Sequence, residues 1–328
     1  MRQDPPADRS PSPHPVPSHG VLLGADRWRA GNDDLLGPGG RPCVVMAHGF
    51  GCTRDGGLAA YAAAFAAAGC DVLVFDYRGF GTSGGTPRQD VDHRRHREDY
   101  TAAVAEARRL DGVDPERIVL WGTSYSGGHV LAVAADDPRV AAVVSQGAAV
   151  DGRAILLGTG RGSSSRDDEG GAPGSASSAR RAARIASAVA RDLLASVTGR
   201  RPVHLAVFGN PGEAALMTAP GGARALAPIL GPTFRNELCA RGLLRIPRNR
   251  PVTVAAQVRC PALLVIAERD EIAPPSSVRE AARAMARSEV AAYDCSHFAL
   301  YADAPGSVFG DVLERQLAFL GSRLALGV

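Results

Sequence analysis

Short, almost wholly apolar runs recur along this chain, and each is followed by a longer stretch in which apolar residues return at helical spacing. The runs predict strands at Val44 to Ala47, Val72 to Asp76, Ile118 to Trp121 and Val140 to Ser145. The intervening stretches predict helices near Leu58 to Ala68, Asp90 to Leu110 and Gly127 to Ala135. Strands that are apolar throughout, rather than alternating, are expected to be buried on both faces. Strands separated by helix-length connections predict a parallel sheet with helices on both sides, an α/β fold.

The alternation lapses from Asp151 to Arg250 and returns with ALLVIA from Ala262, then EVAAY from Glu289. Within the lapse, Gly158 to Ser178 is low in complexity and is expected to be mobile, and Ala179 to Val197 predicts one helix. Residues 1–19 are proline-rich with few large apolar groups, so disorder is expected there. Val21 to Gly40 gives only a short apolar start, which predicts incomplete edge strands. The expected organisation is a tail at 1–19, a core at 20–150 and 251–328, and an insertion at 151–250 between the two core parts.

The candidate chemistry sits at the ends of the apolar runs. IVLWGTSYSGG carries a strand straight into a serine between small residues, and it resembles a nucleophile elbow. Ser124 is the preferred nucleophile because the strand ends directly before it; Ser126, standing where this motif usually has glycine, is the alternative frame. Asp270 follows the strand ALLVIA and His297 follows EVAAY, so the chain order is Ser, Asp, His. Asp294 and Asp303 are rivals for the acid, and His48, just after the strand CVVMA, is a rival for the base. A serine hydroxyl is a weak nucleophile at neutral pH; it needs a histidine to take its proton and a carboxylate to fix the imidazole tautomer.

Together HGFGCTRDGGL, VLVFDYRGFGTSGGTPR, RIVLWGTSYSGGHVL and SHFALY resemble the α/β-hydrolase superfamily, and more closely bacterial esterase-like serine hydrolases related to the fungal polyketide transferase family. The resemblance runs from about Arg41 to Leu320. It implies the α/β-hydrolase fold with an inserted cap at 151–250, a Ser124, His297, Asp270 triad, and an oxyanion hole made by the backbone amides of Phe50 and Tyr125. It further implies cleavage of an ester or thioester through an acyl-enzyme. The alternative is transfer of the acyl group to an alcohol or amine, and a third reading is an inactive member serving as a binding or scaffold protein.

Two other motifs point elsewhere. RGFGTSG at Arg78 to Gly84 contains GxGxxG after a strand, but Gly85, Thr86 and Pro87 follow where a nucleotide-binding helix should begin, so it reads as a loop. His93 and His96 with nearby aspartates could suggest a metal; amid arginines they read as surface residues on a solvated helix face. Neither a cofactor nor a metal is expected.

Composition narrows the remaining classes. The chain has 328 residues, 45% of them hydrophobic, and a formal net charge of +3. No lysine occurs, which removes lysine Schiff-base chemistry and the phosphate-loop lysine. The arginines are scattered rather than gathered in a stripe, so no nucleic-acid partner is expected. Six cysteines without CxxC spacing read as buried thiols. No signal segment or membrane-length apolar run occurs, which leads to the expectation of a cytoplasmic protein with a small acyl ester or thioester as partner and no membrane. The sequence leaves its oligomeric state open.

Overall fold

The computed structural model describes residues 10–160, 175–218 and 221–325. The chain opens with β1 (Ser12–Pro13), β2 (Val16–Ser18), β3 (Val21–Leu23) and β4 (Ala25–Trp28). This corrects the expectation of disorder through residue 19, which now applies to no residue from Ser12 onward; residues 1–9 lie outside the described residues. Val16 is fully buried and Ser18 donates to Asp99 Oδ1 at 2.7 Å. Prolines restrict the unfolded chain, so ordering it costs less entropy and a few such anchors suffice. The hairpin β2–β3 turns at His19 and Gly20, both at positive φ (43° and 80°), as a two-residue turn matched to strand twist requires.

From β5 (Arg41–Ala47) the predicted alternation holds: α1 (Ala59–Ala67), β6 (Asp71–Phe75), α2 (His93–Ala107), β7 (Val113–Thr123), α3 (Tyr125–Asp136) and β8 (Ala142–Gln146). Residues 151–250 contain α4 (Gly152–Gly160), α5 (Ser175–Val197), β9 (His204–Gly209), β10 (Ala215–Thr218), the short α6 (Gly222–Ala225), β11 (Leu238–Cys239) and a 3-10 segment at Ala240–Arg248. β12 (Ala262–Ala267), α7 (Pro275–Ala284), β13 (Ser288–Tyr293) and α8 (Phe309–Leu324) complete the chain.

The main sheet has eight strands in the order β1-β4-β6-β5-β7-β8-β12-β13. β5, β6, β7, β8, β12 and β13 run parallel, whereas β4 pairs antiparallel with β6, Trp28 opposite Val72, and β1 closes that edge. The edge is therefore more complete than the apolar signal of residues 21–40 predicts. Part of its anchoring is polar: Arg27 forms a buried ion pair with Asp71, whose other oxygen accepts from the Ala30 amide at 2.8 Å.

Alternate residues of each central strand enter opposite layers. Val45, Leu120 and Val143 pack with α2, α3 and α7 on one face; Val44, Met46, Trp121 and Val144 pack with α1 and α8 on the other. Both faces are covered, as the unbroken apolar runs predict.

The insertion contributes no strand to the main sheet among the described residues. Its strands form a separate sheet in the order β10-β9-β11, a feature the sequence pattern does not announce. The expected helix is present as α5. Of the stretch expected to be mobile, residues 161–174 lie outside the described residues.

Candidate active site

β7 delivers Ser124 into a turn so sharp that its backbone adopts φ 56° and ψ −117°, a strained conformation for any residue with a Cβ. Two backbone bonds, to the end of β8 and to the segment just after it, hold it there: Ser124 N–H to Gln146 O at 2.8 Å and Ala149 N–H to Ser124 O at 2.9 Å. The turn tolerates no bulk at Gly122, where a Cβ would lie 2.3 Å from the Ser126 carbonyl oxygen. This is the physical content of the small-residue spacing seen in the sequence.

Asp270 and His297 lie just beyond the ends of β12 and β13, and the parallel register of β8, β12 and β13 brings them beside the elbow. His297 Nε2 is 3.1 Å from Ser124 Oγ, and His297 Nδ1 is 2.6 Å from Asp270 Oδ2. Asp270 Oδ1 accepts from the amides of Ile272 (2.8 Å) and Ala273 (2.7 Å), so the carboxylate is held at both oxygens. The His297 and Asp270 side chains are 5% and 2% exposed, which keeps water from weakening their interaction. A Ser–His–Asp chain in hydrogen-bond contact is an arrangement suited to raising the nucleophilicity of a hydroxyl.

The rivals are elsewhere. Asp294 is exposed and paired with Arg269, and Asp303 is exposed. His48 places Nδ1 2.9 Å from Gly49 O, with Nε2 3.5 Å from Asp76 Oδ1, inside the loop that follows β5. Ser126 is fully buried, and its Oγ lies 2.5 Å from both His48 O and Tyr77 Oη. Phe50 and Tyr125, the residues expected to supply the oxyanion amides, meet edge to face with ring centroids 5.1 Å apart. Gly49 sits so close to the serine that a Cβ there would fall 2.8 Å from Ser124 Cβ.

The reading of His93 and His96 as surface residues is corrected. Both are buried, and His96 stacks on Tyr77 at 4.1 Å with the rings 5° from parallel. His129 from α3 joins the same cluster, 5.5 Å from His96 and 4.6 Å from Tyr125. Burial drives the pKa of His96 and of His129 well below 6.5, so both rings are neutral. The sequence signal misleads because a helix with arginines on its outer side hides its inner face. The segment Arg78 to Gly84 is a loop with no helix before α2.

The sequence gives no sign of a cavity beside Gly49. Gly49, Cys52, Phe208, Ile229, Leu230 and Phe298 are among the residues lining an apolar space of about 20 Å³. Phe208, Ile229 and Leu230 come from the insertion, and β9 lies against the loop so closely that a Cβ at Gly51 would meet Val207 Cγ2 at 3.2 Å. Desolvation pushes the Cys52 thiol up to about 12, so it stays protonated beside the site. Among the described residues, no helix is long and apolar enough to cross a membrane.

Comparison with known proteins bears on the family. The family model for the alpha/beta hydrolase fold matches residues 42–304. The quorum-quenching protein AidA of Acinetobacter baumannii is 38% identical over 282 residues, covering 85% of this chain and 86% of its own length. The polyketide transferase ATR5 of Stachybotrys chlorohalonatus is 28% identical over 245 residues, covering 73% of this chain and 75% of its own. The crystal structure of the alpha/beta hydrolase GrgF from Penicillium superposes with a TM-score of 0.73 at 23% identity, over 97% of this chain and 100% of the other.

Proposed function

The chain belongs to the α/β-hydrolase fold family, and from that premise we propose that it is a serine hydrolase which cleaves an ester or thioester through an acyl-enzyme on Ser124. The observation that carries this reading is the continuous contact from Asp270 through His297 to the strained serine, 2.6 Å and then 3.1 Å. Ser124 Oγ attacks the carbonyl carbon while His297 Nε2 takes its proton. Asp270 keeps the proton of the ring on Nδ1 and stabilises the imidazolium that forms. The amides of Phe50 and Tyr125 receive the oxyanion; losing one such donor costs about 3 kcal/mol in the transition state. His297 then protonates the leaving group, and water, activated by the same ring, releases the acid. The insertion at 151–250 acts as a cap that shapes the acyl site.

The test is covalent labelling with a fluorophosphonate. Wild type should label once; Ser124→Ala should not label, and Ser126→Ala should still do so. The reverse pattern would move the nucleophile to Ser126.

A second reading keeps the acyl-enzyme and resolves it with an alcohol or amine. It is favoured by the apolar cover of β9 and Phe208 over the oxyanion loop, which limits water, and by the relative named a polyketide transferase. The relative named for quorum quenching makes a bacterial signalling ester a natural member of the substrate panel. Mass spectrometry of the acyl-enzyme, chased with and without acceptor, separates hydrolysis from transfer.

A further inference from the structure

Ser126 occupies the second position after the nucleophile, where glycine is usual, and the structure gives its hydroxyl a specific task. The side chain is fully buried. Its Oγ lies 2.5 Å from the His48 carbonyl oxygen and 2.5 Å from the Tyr77 hydroxyl. A carbonyl can only accept, so the one proton of Ser126 goes to His48 O, and Tyr77 must then donate to Ser126. The order is Tyr77 to Ser126 to His48.

Each end of that chain is anchored. Tyr77 lies flat on His96 at 4.1 Å and edge-on to Phe75 at 5.2 Å, so its hydroxyl has little freedom. Burial pushes its phenol pKa upward, which keeps it a donor. At the other end, the His48 carbonyl belongs to the peptide that leads into Gly49 and Phe50. Gly49 lies so near the nucleophile that a Cβ added there would fall 2.8 Å from Ser124 Cβ. A bond to His48 O therefore fixes where the Phe50 amide stands relative to the serine, and it does so from the first turn of α3, the helix that also carries Tyr125.

We propose that Ser126 is a positioning residue that locks the oxyanion loop to the nucleophile helix, with Tyr77 aligning its hydroxyl from behind. The proposal rests on Ser124 as nucleophile and on the Phe50 and Tyr125 amides as oxyanion donors. A serine there only to fill space would be replaced without penalty by alanine, whereas a serine that orients an amide would not.

The experiment compares wild type with Ser126→Ala, Tyr77→Phe and the double variant. Three quantities are read on protein with wild-type circular dichroism: kcat and KM for p-nitrophenyl acetate, and affinity for a trifluoromethyl ketone whose adduct presents an oxyanion. Ser126→Ala should lower kcat about 10- to 100-fold with KM within about threefold, less than outright loss of a donor because the amide remains but is misplaced. Affinity for the ketone should fall by the same factor as kcat/KM. Tyr77→Phe should lose less, about 3- to 10-fold, and should add nothing once Ser126 is alanine, because its hydroxyl acts through that serine.

Normal kcat in Ser126→Ala, or additive losses in the double variant, would overturn the proposal. If Ser126→Ala does not fold, Tyr77→Phe removes a single oxygen and carries the test alone: a kcat loss at unchanged KM supports the lock, and an unchanged kcat ends it. Failure of the underlying reading looks different. In that case Ser124→Ala retains turnover and labelling, whatever Ser126→Ala does.

Discussion

From Ile118 to Ala134 every residue is buried, and this one segment contains the end of β7, the serine turn and most of α3. The insertion, whose β9 lies against the loop after β5, leaves Leu157, Leu194 and Val197 exposed; among the described residues, the buried members of its separate apolar cluster are Ala188, Leu205 and Ala240, whereas Val207, Phe208, Leu238 and Ile246 pack into the main core. The difference separates two demands on one site. Reacting groups must be held to within a fraction of an ångström, which a doubly covered sheet can do. Selecting an acyl group needs only a wall, and a wall can be built from a less densely packed unit whose sequence is freer to vary.

The largest effects should therefore come from groups held by the core. On the proposed mechanism His297→Ala and Asp270→Asn should each lower kcat by about 10³- to 10⁴-fold, and the double variant little further, because a triad loses function as a unit. Single substitutions in 151–250 should not approach that loss while the protein stays folded. Steady-state kinetics across both sets checks this, and an insertion variant with a triad-sized loss would end the division of labour.

Stability should divide along the same line. Gly122→Ala puts a Cβ 2.3 Å from the Ser126 carbonyl oxygen, a backbone atom that cannot step aside, and overpacking of this kind costs about 3 kcal/mol. Gly212, in the insertion, has open space around it and a φ of +89°, so Gly212→Ala should cost only the left-handed backbone penalty, about 1 kcal/mol. Urea melts of the two variants should differ by that margin. Equal losses would mean that the insertion is packed as tightly as the elbow.

Acid should act on the core first. His96 and His129 are neutral in the folded protein, their pKa values driven well below 6.5 by burial and further by neighbouring cations, Arg97, Arg78 and Arg95 among them. The unfolded chain takes up protons at its ordinary histidine pKa near 6.5, while the folded chain does not, so unfolding gains protons and stability falls as pH drops below that value. The exposed charges of α5 are arginines and do not titrate there. The urea midpoint should decline from pH 7 to pH 5, and His129→Phe should flatten the decline. An unchanged slope in that variant would place the acid-sensitive group elsewhere.

The same contrast explains what was legible in the sequence. Val44 to Ala47 and Ile118 to Trp121 have unbroken apolar character because both faces of their strands are covered, so the core strands and the residues at their ends, Ser124, Asp270 and His297, could be placed from pattern alone. Residues 12–18 could not, since their order depends on contacts such as Ser18 with Asp99, 81 positions away. His93 and His96 were misplaced because helical periodicity does not say which side of α2 faces the sheet. Phe208 and the β9 sheet left no trace, because a three-stranded unit made of short strands has neither the length nor the alternation to stand out.

The smallest expected effect is also the sharpest test of the insertion's role. Phe208 is among the residues that line the apolar space beside Gly49 and contacts Phe298, ring centroids 6.0 Å apart, so it is part of the insertion's wall against the loop after β5. A space of about 20 Å³ has little room for an acyl chain, and Phe208→Leu should enlarge it while keeping an apolar side chain in place. The proposed triad and oxyanion amides are untouched, so kcat/KM for an acetyl ester should change little. Longer esters should gain, because each methylene accommodated in an apolar pocket contributes about 1–3 kcal/mol at most, and a partial fit gives on the order of tenfold for butyryl over acetyl. The measurement is the ratio of kcat/KM values across a p-nitrophenyl ester series, before and after the substitution. A uniform change at every chain length would show that Phe208 supports the fold and leaves acyl selection to other residues.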